Sequence, residues 1–259
     1  MVRILKRIIE GASWTQSVPE HKPPYIERLT KAINNREKVI LYGTGDREGI
    51  CGISILVLVL RYFNSDVEYF VVSGNESEDA LRDLVRRHID FFSPGLMITL
   101  SDKVTRAACD AAGDEEGLVM AIGVRAEERS LSFFKEDLSL VGNVYQLSEL
   151  LSSYYNTRNF MRYSDLVYLG APAGIPAGNN ERLYRALGSE QLECTTNYGL
   201  CAAKAITRGH IDGIRKFITP KDNPVGALDN SRIIIEMLTT GDGNRAEQIA
   251  KYLQNLTLC

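Results

Sequence analysis

Residues 38–60, KVILYGTGDREGICGISILVLVL, decide the fold. KVILYG is short, apolar and rich in β-branched residues, as a buried strand must be. The next stretch carries three glycines and two acids. GISILVLVLRYF (52–63) then offers apolar residues on every side, which suits a helix packed on a sheet and covered from outside. A strand, a glycine loop and a buried helix in that order begin a crossover unit of a parallel sheet.

The pattern repeats outward from there. VEYFVVSG reads as a second strand, and SEDALRDLVRRHIDFF as a helix with Ser77 as N-cap and acids in its first turn. GLMITL is a third strand, KVTRAACDAAG a helix and GLVMAIGV a fourth strand. Upstream, YIERLTKAINN is an amphipathic helix, residues 2–10 alternate apolar and basic positions at helical spacing, and the prolines of SVPEHKPP (17–24) mark a linker. After residue 143 the strands stop. VYQLSELLSSYYN, NNERLYRALG, NYGLCAAKAITRG, HIDGIRKFI, NSRIIIEMLTTG and NRAEQIAKYLQNL all carry helical periodicity, and GAPAGIPAGN (170–179) is a tight loop. The expected fold class is α/β: a mostly parallel sheet flanked by helices over 25–142, followed by a helical region over 143–259, within one domain spanning 1–259.

Composition narrows the function. Apolar residues are 44% of the 259, enough for a full core, and the net charge of −3 is not the footprint of a strong nucleic-acid binder. A local basic patch would draw on Arg82, Arg86, Arg87, Lys103 and Arg106. Five cysteines at wide spacing, Cys51, Cys109, Cys194, Cys201 and Cys259, contain no C-x-x-C, which argues against a zinc site or a disulfide framework. Cys51 reads as a small core residue, and a Cys194–Cys201 disulfide stays open. No apolar run reaches 18 residues and the N-terminus does not read as a signal peptide, so the expected compartment is the cytoplasm.

Ligands of parallel α/β sheets gather at the carboxyl ends of the strands. The opening loop, SGNESED, LSDKVT and GVRAEE should therefore converge on one crevice. Gly43, Gly45 and Gly49, with Glu76 after the second strand, resemble a relaxed dinucleotide turn, but Asp46 and Glu48 would aim negative charge at a pyrophosphate. A two-metal phosphoesterase needs about six carboxylate or imidazole ligands. Asp46 and Glu48 can face one cation, yet the three histidines, His21, His88 and His210, lie away from the strand ends, and His88 reads as a surface residue.

YGTGDREGICG resembles the first motif of the DHH phosphoesterases, the family of RecJ-type single-strand exonucleases. The D-x-D-x-D-G pattern falls on Thr44, Asp46, Glu48 and Gly49, with Tyr42 where a histidine is common. LMITLSDKVTR resembles the second motif; its aspartate falls on Ser101, with Asp102 one position late. LVMAIGVRAEE resembles the strand ending in Asp-His-His, positions that are Gly123, Val124 and Arg125 here. YSDLVYLGAPAGIPAGNNERLYRAL is similar to the fourth motif, its aspartate at Gly174, and TPKDNPVGALDN to the P-x-x-N-x-x-G-R segment, its arginine at Ala227. The resemblance covers the chain from about residue 36 and implies a DHH-type domain without the second, substrate-gripping (DHHA1) domain.

Most positions that hold metal in the family are thus replaced, and Arg125 would repel a cation and pair with Asp46 or Glu48. The resemblance implies a degenerate site with no catalytic residues, no bound metal and no cofactor: a pseudoenzyme. Inactivated RecJ-like subunits occur in replicative helicase assemblies, as the cell-division-cycle 45 protein of eukaryotes and its RecJ-like archaeal counterpart. Likeness to them implies a scaffold in DNA replication that binds the GINS complex and supports the MCM helicase. Weak contact with single-stranded DNA through the emptied crevice would call on Tyr42 and Arg125. The alternatives are a residual metal-dependent exonuclease or phosphodiesterase using Asp46, Glu48 and Asp102, and a nucleotide-binding enzyme of Rossmann type.

Overall fold

The structure is a computed structural model that describes residues 22–256 apart from 114, 116, 126–128, 158, 173–177 and 222–225. The proposed N-terminal helix (2–10), most of the linker and Gly174 lie outside the described residues. Helix α1 (Pro24–Asn34) opens the described chain, with Pro23 as N-cap and Pro24 in the first turn, where the missing N–H costs nothing. The last two prolines of the linker therefore start a helix instead of preceding it.

Five strands form one parallel sheet: β1 (Val39–Thr44), β2 (Val67–Val72), β3 (Leu96–Thr99), β4 (Val119–Ile122) and β5 (Leu131–Phe133), in the spatial order β2-β1-β3-β4-β5. Every pairing is parallel. β5, three residues long, is absent from the sequence reading; a run of LSF is too short to show a period.

Helix α2 (Arg47–Tyr62) follows β1, and eleven of its sixteen residues are buried. It starts five residues earlier than the apolar pattern suggests, so the last part of the glycine loop is already helix. Helices α3 (Glu78–Phe92) and α4 (Asp102–Ala112) return between β2, β3 and β4. Ser77 caps α3 as expected, accepting from the Ala80 amide. Alternate residues of β1 divide the sheet. Ile40 and Tyr42 pack with Leu81, Val85 and Val104 of α3 and α4, while Val39 and Leu41 join α2 in the larger core on the opposite face.

The second half is helical: α5 (Leu140–Tyr154), a 3-10 turn (Asn159–Tyr163), α6 (Ser164–Gly170), α7 (Asn179–Glu193), α8 (Tyr198–Thr207), α9 (Ile211–Phe217), α10 (Ala227–Thr239) and α11 (Gly243–Leu256). Residues of α5, α6 and α10 share the larger core with α2, so α2 is enclosed from both sides. That explains its apolar circumference: each fully buried aliphatic side chain contributes about 1.5–3 kcal/mol. Close helix crossings use glycine. A Cβ on Gly188 would lie 2.1 Å from the Ser164 carbonyl oxygen, and one on Gly199 would lie 2.3 Å from that of Met237.

Among the described residues no helix is long and apolar enough to cross a membrane. No disulfide joins Cys194 and Cys201. Cys51 is buried, and desolvation raises its thiol pKa far above the ordinary value, as a small core residue should behave.

Candidate functional site

The strand-end crevice begins at β1. Asp46 has extended backbone and is the N-cap of α2, with Oδ1 accepting from the Gly49 amide at 2.8 Å. Thr44 Oγ1 donates to Asp46 Oδ2 at 2.7 Å. Both carboxylate oxygens are therefore engaged within the turn. Gly49 lets the turn close, because a Cβ there would sit 2.4 Å from the Thr44 carbonyl oxygen. The Gly45 amide donates to the Val72 carbonyl at 3.1 Å, and the Gly45 carbonyl accepts from Ser231 Oγ of α10 at 3.2 Å. The amides of Gly45 and Gly49 that a pyrophosphate would need are already bonded.

Glu48 turns the other way. Its carboxylate accepts from the Val141 amide at 3.3 Å and bonds the Leu140 amide, in the first turn of α5. Burial raises its pKa, these backbone bonds oppose the rise, and the Asp46 charge adds to it. The same helix end holds a second acid. Glu181 of α7 is fully buried and accepts from Ser139 Oγ at 2.9 Å, while Ser139 caps α5 through the Gly142 amide at 3.0 Å. Arg185 Nε donates to Glu181 at 3.0 Å and its Nη2 to the Pro172 carbonyl at 2.9 Å. Two carboxylates thus meet the positive end of the α5 dipole.

The remaining motif positions serve the backbone. Ser101 precedes α4 and makes no side-chain cap bond, and Asp102 is an exposed residue of its first turn. Lys103 Nζ donates to the carbonyls of Gly74 (3.1 Å) and Glu76, tying the first turn of α4 to the loop after β2. Glu76 accepts from the Ser73 amide at 2.8 Å and so closes its own turn. Gly123, at φ +71°, is left-handed and donates to the Phe133 carbonyl at 2.9 Å, turning the chain from β4 toward β5; a side chain there would also strike Leu140. The Val124 carbonyl accepts from Ser132 Oγ at 3.1 Å. Ala227 opens α10.

Four expectations change. Arg125 pairs with Glu136 at 3.6 Å, not with Asp46 or Glu48; both partners are about four-fifths exposed, so the pair is worth little. Asp46, Glu48 and Arg125 therefore do not cluster: they are a helix cap, a half-buried acid and a member of a separate surface pair. Tyr42 is fully buried and stacks with Phe70 and His88, so it offers no platform to a nucleic-acid base. His88 is half-buried rather than a free surface residue: its Nδ1 shares a 2.8 Å hydrogen bond with the Tyr42 hydroxyl, its ring centroid lies 3.8 Å from that of Phe70, and desolvation lowers its pKa. Of the proposed basic patch, Arg82 pairs with Asp79 and Arg106 with Glu78. Glu181 escaped the sequence reading because its partner Ser139 is 42 residues away.

No protein-family model matches the chain. Two curated proteins do, both single-stranded-DNA-specific exonucleases RecJ. The one from Bacillus subtilis is 22% identical over 256 residues, covering 89% of this chain and 31% of its own length. The one from Haemophilus influenzae is 22% identical over 263 residues, covering 89% and 46%. Solved structures agree. Exonuclease RecJ bound to manganese superposes with a TM-score of 0.72 at 19% identity, over 89% of this chain and 63% of that one.

The chain is a distant relative of RecJ.

RecJ from Thermus thermophilus in complex with Mn²⁺ gives a TM-score of 0.71 at 19% identity, over 89% of this chain and 36% of that chain. CDC45 from Entamoeba histolytica superposes at 0.45 with 12% identity, over 90% and 55%, too loosely to carry an argument. The RecJ-like chain spans 31% and 46% of the lengths of these two curated relatives. Among its described residues no group of three or more His, Cys, Asp or Glu side chains is placed to hold a metal ion.

Proposed function

We propose that this RecJ-like chain hydrolyses no phosphodiester and works as a protein-binding scaffold in DNA replication, engaging the GINS complex and supporting the MCM helicase. One observation supports the first half above all others: the two acids retained from the first motif are both committed to helix ends. Asp46 caps α2 with one oxygen and accepts from Thr44 with the other. Glu48 is drawn to the α5 amides. The manganese or magnesium found in the relatives does not fit such donors, because a cation would have to take each carboxylate from amides and a hydroxyl already bonded to it. The other motif positions, Ser101, Gly123, Val124, Arg125 and Gly174, supply no carboxylate or imidazole. The resemblance to the inactivated RecJ-like subunits of helicase assemblies supports the second half.

The experiment has two arms. The full chain is incubated with end-labelled single-stranded DNA and Mn²⁺ or Mg²⁺, and the tagged chain is drawn from an extract of its own organism. Intact DNA and recovery of GINS subunits are expected. Metal-dependent degradation that Asp46→Ala abolishes would overturn the reading, as would an extract pull-down that recovers no GINS.

A further inference from the structure

A cleft of about 450 Å³ opens beside the start of α2, lined by Arg47, Asp212, Arg215, Lys216, Thr219 and Lys221. We propose that it binds the phosphoryl dianion of a small phosphorylated solute. Four cations face one acid there, in a chain whose net charge is −3. The acid does not neutralise them: Asp212 is nine-tenths exposed and stands 3.8 Å from Arg215. Asp46, next to Arg47, has both oxygens occupied.

Arg215 is held in place. Arg215 Nη2 donates to the Tyr168 carbonyl at 3.1 Å, and its guanidinium lies 5.0 Å over the Tyr168 ring. Its Nε is buried without a hydrogen-bond partner, and so is the Nε of Arg47. A buried charged donor without an acceptor is costly, and an oxyanion in the cleft would give the guanidinium groups that line it charge-assisted partners. Arg47 also breaks a local rule. It occupies the first turn of a sixteen-residue helix, where the macrodipole opposes a cation. Local rules are broken chiefly where function requires it. Lys216 and Lys221 are exposed at the rim, so they can meet a ligand without reorganising the core. A doubly charged tetrahedral anion suits three or four converging cations better than a single carboxylate does. The cleft is lined by neither Asp46 nor Glu48, although Arg47 stands between them in sequence, so the proposal does not depend on the non-catalytic reading of those acids.

The test is thermal denaturation and titration calorimetry of the full chain. Inorganic phosphate, pyrophosphate and a nucleoside 5′-monophosphate are compared with sodium chloride at matched ionic strength and with the unphosphorylated nucleoside. The phosphorylated compounds should raise Tm, while chloride and the nucleoside should not. Lys216→Glu combined with Lys221→Glu lies on the exposed rim and leaves the fold intact; it should weaken phosphate binding about tenfold or more. Arg47→Met should do the same, and Asp212→Asn should tighten binding. Equal shifts with phosphate and chloride would overturn the proposal, as would a double rim variant that binds like the parent chain. Preference among the phosphorylated compounds identifies the source of the anion.

Discussion

Replacing Asp46 by alanine separates two opposite uses of one side chain. In the structure Asp46 is an N-cap, and removing such a cap costs about 1 kcal/mol, within a range of roughly 0.5–2. The Thr44 hydroxyl loses a partner that water replaces at this exposed position. Removing the Asp46 charge lowers the pKa of Glu48 slightly and returns a little stability. The cap dominates, so the net loss is about 1 kcal/mol. For a chain of this size that lowers Tm by about 2–4 °C. Asp46→Asn keeps an acceptor for the Gly49 amide and should lose less than half as much. A metal ligand behaves differently. Acids gathered for a cation repel one another when it is removed, so the alanine variant would be neutral or stabilised in chelator, and the parent chain would gain stability by mass action when Mn²⁺ is added. Calorimetric or circular-dichroism melts of the three proteins, in chelator and in millimolar Mn²⁺, read both effects. An alanine variant that melts no lower than the parent in chelator, with a parent Tm that climbs with Mn²⁺, would refute the reasoning.

Burial lifts the pKa of Asp165 from 3.8 to about 6, with bonds from Thr195 and Leu166 opposing the rise. The folded chain holds this proton more tightly than the unfolded chain does, so the stabilising effect is complete below about 3.8, is lost as pH climbs to about 6, and stays lost above. Asp165→Asn should flatten that segment of the stability–pH curve and exceed the parent at pH 7.5 by up to the order of 3 kcal/mol in urea titrations. Gly188→Ala should cost about 1–3 kcal/mol or prevent folding, since its methyl would enter the Ser164 backbone; measured stability within 0.5 kcal/mol of the parent would contradict the close α6–α7 crossing. Arg125→Ala should change stability by under about 0.5 kcal/mol and leave the Mn²⁺ response unchanged, because its pair with Glu136 is exposed.

The order of elements was legible because each speaks through its own residues. β1 and α2 declare themselves by a buried run on either side of a turn, and α3 by Ser77 and the acids after it. Boundaries failed where glycine carries two meanings. Gly49 reads as loop, yet it is the residue whose absent side chain lets α2 begin at Arg47. β5 was invisible because three residues beside a glycine-bearing turn contain no periodicity. At the site, sequence spacing could say that Asp46 and Glu48 share a turn, but not that they part company within it. That depends on Val141, 93 positions away, presenting its amide to Glu48. The Tyr42–His88 bond joins a strand to a helix 46 residues on, and nothing near His88 marks it as part of an aromatic stack. The cleft beside Arg47 escaped for the same reason: its other cations, Arg215, Lys216 and Lys221, lie more than 160 positions further along the chain.

On the proposed non-catalytic reading, the fastening of Glu48 to α5 would act as a ratchet on any return to hydrolysis. Grafting Asp onto Ser101 and His onto Val124 would add donors at the strand tips, but the inherited carboxylate would still be clamped in the seam between sheet and helical half. Freeing it would remove one of the two carboxylates at the positive end of α5 and one tie across the seam. Restoration would have to proceed through a loosened intermediate in which neither the joint nor the catalyst is complete.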